Sequence, residues 1–194
     1  ADVKKTLSSY FLRESIDKFG GAARYSRIVG AIDDAETAIT RNTTALTMRK
    51  DIVAAIDTAA SYEICFEQAL KINQKDPVVE STGFRMLSPA GGIQTSIYYF
   101  EDDSLGNIVT YRIREGKKRY REEIMGSVDY ETGEIMLGEV RPFVITGTVM
   151  PQNEIQFRAV PRSDDIVAKK SVYLELDIDS SKINAVIDLD ELIS

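Results

Sequence analysis

Hydrophobic residues near the start of the chain recur at the spacing of one helix face. A helix is predicted over residues 2–19, and its apolar stripe comprises Val3, Leu7, Phe11, Leu12, Ile16 and Phe19. Gly20 and Gly21 follow, and glycine takes the left-handed conformation that ends helices without a steric penalty. The pattern therefore predicts a helix that stops at the glycine pair.

A second, shorter apolar pattern begins soon after the glycine pair. Ile28 and Ile32 fall on one helix face, and Asp33 and Asp34 end the pattern. Ser26 stands before it, where a serine hydroxyl can accept from the free amide groups of a first helical turn. The sequence predicts a short helix capped by Ser26, which forms a helix pair with the first.

From residue 43 onward the hydrophobic period changes to that of a strand. Short alternating runs bounded by turn residues predict antiparallel strands over residues 43–50, 62–66, 96–100, 109–113, 117–125, 144–149, 155–160, 172–178 and 183–187. Residues 128–137 form the clearest hairpin, with a turn at 131–133, and Glu115-Gly116 predicts another tight turn. The predicted fold class is α+β, with an N-terminal helix pair and short strands before a mainly antiparallel β region of sandwich or barrel type.

Proline and glycine concentrate in one stretch near the middle of the chain. Residues 77–93 contain Pro77, Gly83, Pro89, Gly91 and Gly92. Such a stretch is typical of a boundary or a long crossing loop. We predict an α+β helix-pair unit at residues 1–76, the boundary or crossing loop at 77–93, and a mainly antiparallel β domain at 94–194.

Composition excludes several classes of chemistry. The 194 residues include no histidine and one cysteine, so Ser-His, Cys-His and histidine–metal sites are excluded, as is an intrachain disulfide. No glycine pattern matches a nucleotide-binding loop, and no apolar run is long enough to span a membrane. We predict no enzyme activity, no catalytic residue, no cofactor, no metal and no membrane partner.

Two acidic patterns have a structural interpretation. Asp102-Asp103 and Asp164-Asp165 lie in turn-like contexts, where aspartate binds nearby backbone amides. The run from residue 177 resembles a calcium loop, but Lys182 occupies the place where that loop requires glycine. Apolar alternation there favours a strand, a turn and a second strand.

Basic residues cluster between residues 112 and 121. They are Arg112, Arg114, Lys117, Lys118, Arg119 and Arg121. A nucleic-acid contact competes here with a solvated hairpin, and the net charge of −7 favours the hairpin, so no nucleic-acid partner is predicted. Acidic residues dominate from residue 175 onward, and oppositely charged faces steer a chain onto copies of itself or onto neighbours. We predict that Lys117, Lys118, Arg119 and Arg121 belong to an assembly-contact face.

Several short motifs occur together along the chain. Residues 18–42 read KFGGAARYSRIVGAIDDAETAITRN, with a glycine-pair helix stop, R-Y-S, A-I-D and I-T-x-N in that order. Later segments read GSVDYETGEI and PRSDDIVAKKS. In this combination and order the motifs resemble the baseplate wedge proteins of T-even-type contractile-tailed bacteriophages, within the baseplate J-like group.

The resemblance implies a function in assembly. It implies a late structural protein of the virion, located in the tail baseplate and assembled in the host cytoplasm. Its expected partners are a second copy, in a homodimer, and other baseplate wedge proteins, with which it joins neighbouring wedges into a ring. Members of the family are longer than this chain, so the resemblance also implies that the chain is the C-terminal portion of such a protein.

A β-rich carbohydrate- or receptor-binding module is the alternative function. Aromatic rings that stack on sugars would have to come from Tyr98, Tyr99, Tyr111, Tyr120 and Tyr130, because the chain has no tryptophan. Tyrosines scattered along strands belong more often to a core or an interface, which favours the assembly function. An assembly protein should dimerise without ligand.

Overall fold

The computed structural model describes residues 2–14, 16–87, 96–139, 142–169 and 173–185, with the backbone alone at Asp2, Arg121 and Glu122. Within these residues the helices are α1 (Asp2–Arg13) and α2 (Tyr25–Asp33), and a short 3-10 helix spans Pro151–Asn153. The strands are β1 (Ala22–Ala23), β2 (Met48–Val53), β3 (Ala59–Ala60), β4 (Tyr62–Cys65), β5 (Val79–Ser81), β6 (Phe84–Met86), β7 (Tyr99–Asp102), β8 (Asn107–Arg114), β9 (Lys117–Asp129), β10 (Glu134–Leu137), β11 (Phe143–Thr148), β12 (Glu154–Ala159) and β13 (Ile166–Val167).

Antiparallel pairing builds the larger part of the fold. One sheet has eight strands in the order β2-β12-β5-β7-β8-β9-β10-β4, and a second has three in the order β3-β11-β6. Every described strand pair in these two sheets is antiparallel. The predicted α+β class with a mainly antiparallel β region is confirmed.

The chain divides into two compact units. The helix unit takes its described residues from Ala1–Thr43 and Ala168–Ser194, and the β unit is Thr44–Val167. Within the β unit, β2 and β4 pair with β12 and β10, which follow them by many residues. The predicted domain boundary at 77–93 stays a prediction, and strands from both sides of it share one sheet.

Helix α1 is shorter than its apolar pattern predicts. It ends at Arg13, and its last turn widens, since the amide of Ile16 donates to the carbonyl of Phe11 at 3.2 Å. This turn buries Ile16, whereas Leu12 and Phe19 are 69% and 70% exposed. The predicted stripe is therefore wrong for those two residues, because Leu12 lies on the exposed side of α1 and the chain leaves the helical path before Phe19.

Helix α2 lies where it is predicted, but its start differs. Arg24 occupies the N-cap without a side-chain hydrogen bond, and Ser26 lies inside the first turn, so the predicted Ser26 cap is wrong. Ile28 is buried, as the apolar pattern implies. After the helix, the Asn42 amide donates to the Val29 carbonyl at 3.3 Å and to the Asp33 carboxylate at 2.5 Å. The asparagine of the I-T-x-N motif thus ties the following loop to α2.

Four phenylalanines join the two sheets of the β unit. The rings of Phe84 and Phe100 stack with centroids 4.3 Å apart. Phe100 also lies 5.7 Å from Phe143 and 5.8 Å from Phe157. Phe84 and Phe143 come from the three-stranded sheet, and the other two come from the eight-stranded sheet. Aromatic burial of this kind dominates the energy of a core, so this cluster fixes one sheet against the other.

A buried carboxylate holds together segments that are far apart in sequence. Asp102 ends β7 and is 4% exposed. Its Oδ1 accepts from the amides of Val78 and Val79 at 2.7 and 2.8 Å. Its Oδ2 accepts from the Tyr130 hydroxyl at 2.7 Å and from the Ser104 amide at 3.3 Å. Charge-assisted bonds like these compensate for burying the carboxylate.

The hairpin predicted at residues 128–137 is confirmed. β9 and β10 pair from Asp129 and Glu134, and Gly133 takes a φ of +73°. Asp129 accepts from the amide of Glu131 at 2.8 Å, as an aspartate before a turn commonly does. A side chain at Gly133 would also approach the carbonyl oxygen of Gln68 to 2.2 Å, so glycine is required there on two grounds.

The predicted strands at 109–113, 117–125, 144–149 and 155–160 correspond to β8, β9, β11 and β12. Those predicted at 172–178 and 183–187 do not form in the described part of either range. Residues 173–177 form no helix or strand, and the Lys4 ammonium of α1 donates to the Ile178 carbonyl at 2.8 Å. The segment is instead tied to α1 by that bond and turns at residues 178–180, which apolar alternation alone does not predict.

We expect Thr44–Val167 to fold without the rest of the chain. The first and last long strands of the β unit are neighbours, with Met48 opposite Ala159. Adjacent ends and a separate core are the properties of an independently folding unit. Residues 44–167 should show a β-type circular dichroism spectrum and one cooperative urea transition. Residues 44–149, which lack β12 and Phe157, are the control and should not. A non-cooperative transition of the longer piece would contradict the expectation.

We also expect Asp102→Ala to lower the free energy of unfolding by about 3 kcal/mol, because it leaves several buried donors without an acceptor. Asp103→Ala is the matched control, since the bonds that Asp103 accepts from described residues are local ones, from Leu105 and Asn107. It should cost about 1 kcal/mol. Urea unfolding monitored by circular dichroism measures both values. Equal losses from the two variants would show that the long-range bonds of Asp102 carry no special weight.

Candidate assembly surface

The predicted basic face lies on a two-stranded arm at the end of β8 and β9. We call residues 112–119 the arm. Its turn is Glu115-Gly116, with φ values of +53° and +72°, as a type I′ hairpin turn requires at both positions. The predicted tight turn is therefore confirmed. Apart from half-buried Arg112, every residue of the arm is exposed.

Register and alternation sort the side chains of the arm onto two sides. Opposite one another are Arg112 and Arg119, Ile113 and Lys118, and Arg114 and Lys117. Successive residues of a strand point to opposite sides of the sheet. Lys117 and Arg119 therefore share one side with Arg112 and Arg114, and we call these four residues the cationic face. Lys118 lies on the other side, and the side chain of Arg121 is outside the described part.

Tyrosines and one ion pair occupy the other side, which we call the tyrosine face. Its centre is Glu101, which is 3% exposed, forms an ion pair with Lys118 and accepts from the Tyr120 hydroxyl at 2.6 Å. The Lys118 ammonium lies 4.4 Å from the centre of the Tyr111 ring. Tyr111 in turn stacks on Tyr99 at 5.3 Å. The charge of Lys118 is thus satisfied within the chain.

The tyrosine face shifts the ionisation of its own members. Burial raises the pKa of the Tyr111 hydroxyl to about 12, and the charges of Glu101 and Glu80 add to the effect. The hydrogen bond to Glu101 raises the pKa of Tyr120, and burial raises it further. Burial lowers the pKa of Lys118, but the hydrogen bond and charge of Glu101 outweigh it and leave that pKa raised. These groups hold Lys118 charged and both tyrosines protonated.

The cationic face lacks such compensation. Arg114 lies 3.8 Å from Glu115 with both side chains exposed, and Arg112 donates to the Ser96 hydroxyl at 3.3 Å. Lys117 and Arg119 have no ion-pair partner among the described side chains. Like charges directly opposite each other in a sheet are destabilising. The arm therefore presents four cations on one side with little neutralisation.

Sequence reasoning missed Arg112 and Arg114 as members of the cationic face. A two-residue turn fixes the register of a hairpin, so Glu115-Gly116 places residue 114 opposite 117 and residue 112 opposite 119. That signal was sufficient to find both arginines. The same register also separates Lys118 from Lys117 and Arg119. The four predicted residues thus do not share one side, and their role in assembly contacts stays a prediction.

The five tyrosines suggested as a sugar-stacking platform do not form one. Tyr98, Tyr111 and Tyr130 are buried, and the Tyr130 hydroxyl donates a hydrogen bond to the Asp102 carboxylate. Tyr99 and Tyr120 are more accessible, but the ring of Tyr111 lies between them. The suggested platform is therefore wrong, because most of its members belong to the core.

The acidic pairs behave as turn residues or as internal anchors. Burial raises the pKa of the Asp103 carboxyl, but bonds from the Asn107 side chain and from nearby amides outweigh it and leave that pKa lowered. Asp102 binds amides inside the β unit, and Asp164 is exposed. No group of three acidic or cysteine side chains suited to a metal ion occurs in the ranges that the structure describes.

Comparison with known proteins gives one finding about family. Residues 1–51 match the family model described as baseplate structural protein gp6, C-terminal domain III. The match spans α1, β1 and α2 and reaches into β2. It supports a structural baseplate protein. The later motifs, at residues 126–135 and 161–171, lie outside the matched range. No curated protein matches the chain.

One further observation concerns the helices. Neither helix in the described part of the chain has the length and apolar character needed to cross a membrane.

We expect the protein to lose stability as the pH rises above about 10, where an ordinary tyrosine ionises. Tyr111 keeps its proton in the folded protein up to a pKa of about 12, against a usual value of 10.0. In that window the unfolded chain binds fewer protons than the folded one, so stability falls by up to about 1.4 kcal/mol per pH unit for each such group. Lys118 acts in the same direction, because its raised pKa favours the folded state only until it too deprotonates.

Urea midpoints at about pH 9 and about pH 11 measure this loss. Tyr111→Phe should lose less stability between the two conditions than the wild type. Tyr173→Phe is the control, because that ring is 52% exposed, and it should behave as the wild type. An identical loss in all three proteins would show that Tyr111 does not cause the pH dependence.

Proposed function

We propose that this chain is a structural component of the baseplate wedge of a contractile-tailed phage. The observation that carries the proposal is the match of residues 1–51 to a model of a baseplate structural protein domain. That range contains both helices, with their buried residues Leu7, Phe11 and Ile28. A packed helix pair within the matched range supports a shared fold there.

The proposed mode of action is contact between proteins, without a chemical reaction. The chain pairs with a second copy and with other wedge proteins, and these contacts join wedges into the baseplate ring. An assembly protein needs exposed surface features that its own fold does not satisfy. The cationic face of the arm, and exposed apolar side chains such as Ile113 and Ile124, supply features of that kind.

The proposal extends to location and partners. The chain belongs to the virion tail baseplate, is the C-terminal portion of a baseplate J-like protein, and is made late and assembled in the host cytoplasm. Its partners are proteins, and neither nucleic acid nor membrane is among them. The net charge of −7 supports this, since long-range repulsion opposes binding to polyanions.

Purified baseplates test the proposal directly. Baseplates are released from tails of the phage that encodes the chain, and the chain is detected with an antibody raised against it. We expect a constant ratio to the other baseplate proteins through gradient fractions. A nonsense mutation early in the gene should leave lysates without complete baseplates in negative-stain images, and the wild-type gene on a plasmid should restore them. A chain that is abundant in the lysate and missing from purified baseplates would refute the proposal.

A further inference from the structure

The cationic face is an unusual feature for this chain. Its net charge is −7, with 31 acidic residues against 24 basic ones. Yet Arg112 faces Arg119, and Arg114 faces Lys117, across one hairpin. The chain has enough acidic side chains to neutralise the cationic face, as Glu101 neutralises Lys118 on the tyrosine face. An arrangement that lowers stability within one chain is expected where a partner supplies the missing charge.

The geometry of the cationic face indicates the chemistry of its partner. Side chains two residues apart on one side of a strand are spaced by about 6.7 Å, so the like charges of this face lie close together. A short segment with several carboxylates supplies the complementary charge. Its carboxylates would lie against Lys117 and Arg119 along β9. Along that stretch β9 pairs with β8, and no other described strand pairs with it, because β10 begins pairing only at Gly126.

The chain itself contains a segment with this pattern. Residues 174–179 read LELDID, so Glu175, Asp177 and Asp179 alternate with apolar residues. Residues 173–177 pair with no described strand, and the segment turns around Asp177, since the Ile178 amide donates to the Leu176 carbonyl at 2.9 Å and residues 178–180 form a turn. Glu175 and Asp179 are exposed, whereas Asp177 accepts from the Ser180 amide at 3.1 Å. We call Glu175, Asp177 and Asp179 the acidic row.

We propose that the cationic face of one copy binds the acidic row of a second copy. The inference rests on the proposed function, because it names the surfaces through which copies pair. A nucleic-acid duplex would also be attracted to the cationic face, but the net negative charge of the chain opposes its binding. The pairing brings opposite charges together, and it relieves repulsion that each arm carries alone.

Charge reversal of the full chain tests the pairing. Lys117→Glu with Arg119→Glu reverses the arm, and Glu175→Lys with Asp179→Lys reverses the acidic row. Lys71→Glu with Lys75→Glu is the matched control for the arm, since both lysines are exposed in the β unit. Sedimentation equilibrium at about 0.02 M and about 0.5 M salt gives the dissociation constant of each protein. Circular dichroism establishes that each variant is folded.

The wild type should self-associate, more tightly at low salt. Each reversed variant alone should associate at least about tenfold more weakly, while the control changes little. An equimolar mixture of the arm-reversed and row-reversed variants should regain the wild-type affinity, because every reversed residue then meets its complement. Recovery in the mixture is the decisive result, since a general disturbance of folding or net charge does not produce it.

Three results would overturn the inference. In the first, wild type and reversed variants associate equally well, which leaves the baseplate function intact and removes these surfaces from it. In the second, arm reversal abolishes binding to a short DNA duplex and leaves self-association unchanged. In the third, the wild type stays monomeric at every concentration, and detection in purified baseplates then decides separately whether the chain functions there.

Discussion

The Asp102 carboxylate is the constraint on which the β unit depends. A charge so far from water is tolerated only with a full set of donors, and these come from the start of β5, the loop after β7 and the loop after β9. Asp102 thereby joins three segments that lie far apart from one another in the sequence. The phenylalanine cluster then packs on a framework that is already positioned, with Phe100 only two residues away on the same side of β7.

That framework explains why an exposed arm can be well defined. β8 and β9 are anchored at their base by the core of the β unit and diverge from it beyond the Tyr111–Tyr120 pair. On one side of the arm, Glu101 gathers Lys118 and Tyr120 against Tyr111, which stiffens the hairpin where it leaves the core. The opposite side contributes less of its own, with a hydrogen bond from Arg112 to Ser96 and the exposed pair of Arg114 and Glu115. The tyrosine face thus stabilises the arm, and the cationic face is left available for recognition.

Sequence patterns anticipated what depends on local chemistry. The Glu115-Gly116 turn, the hairpin ending at Gly133 and the strands β8 to β12 follow from turn residues and period two. What depended on long-range packing was not anticipated. Phe19 continues the apolar helical pattern of Leu7 and Phe11, yet the chain turns away at Ile16, and no pattern in the sequence reports that turn. The run after residue 173 alternates like a strand but pairs with no described strand and turns at residues 178–180, because pairing needs a partner edge that alternation alone does not report. The separation of Lys118 from Lys117 was available from strand register, whereas its pairing with Glu101 needed the sheet order.

The pairing of β2 with β12, which places Met48 opposite Ala159, bears on how the gene could have evolved. Everything between these residues leaves and returns at one place, separated by a single strand spacing of about 5 Å. A stretch of DNA encoding that block could be gained, lost or replaced in one recombination event, and the flanking polypeptide would have only that short gap to close. Related chains that keep the N-terminal helices and carry an unrelated middle portion would be the expected trace of such exchange.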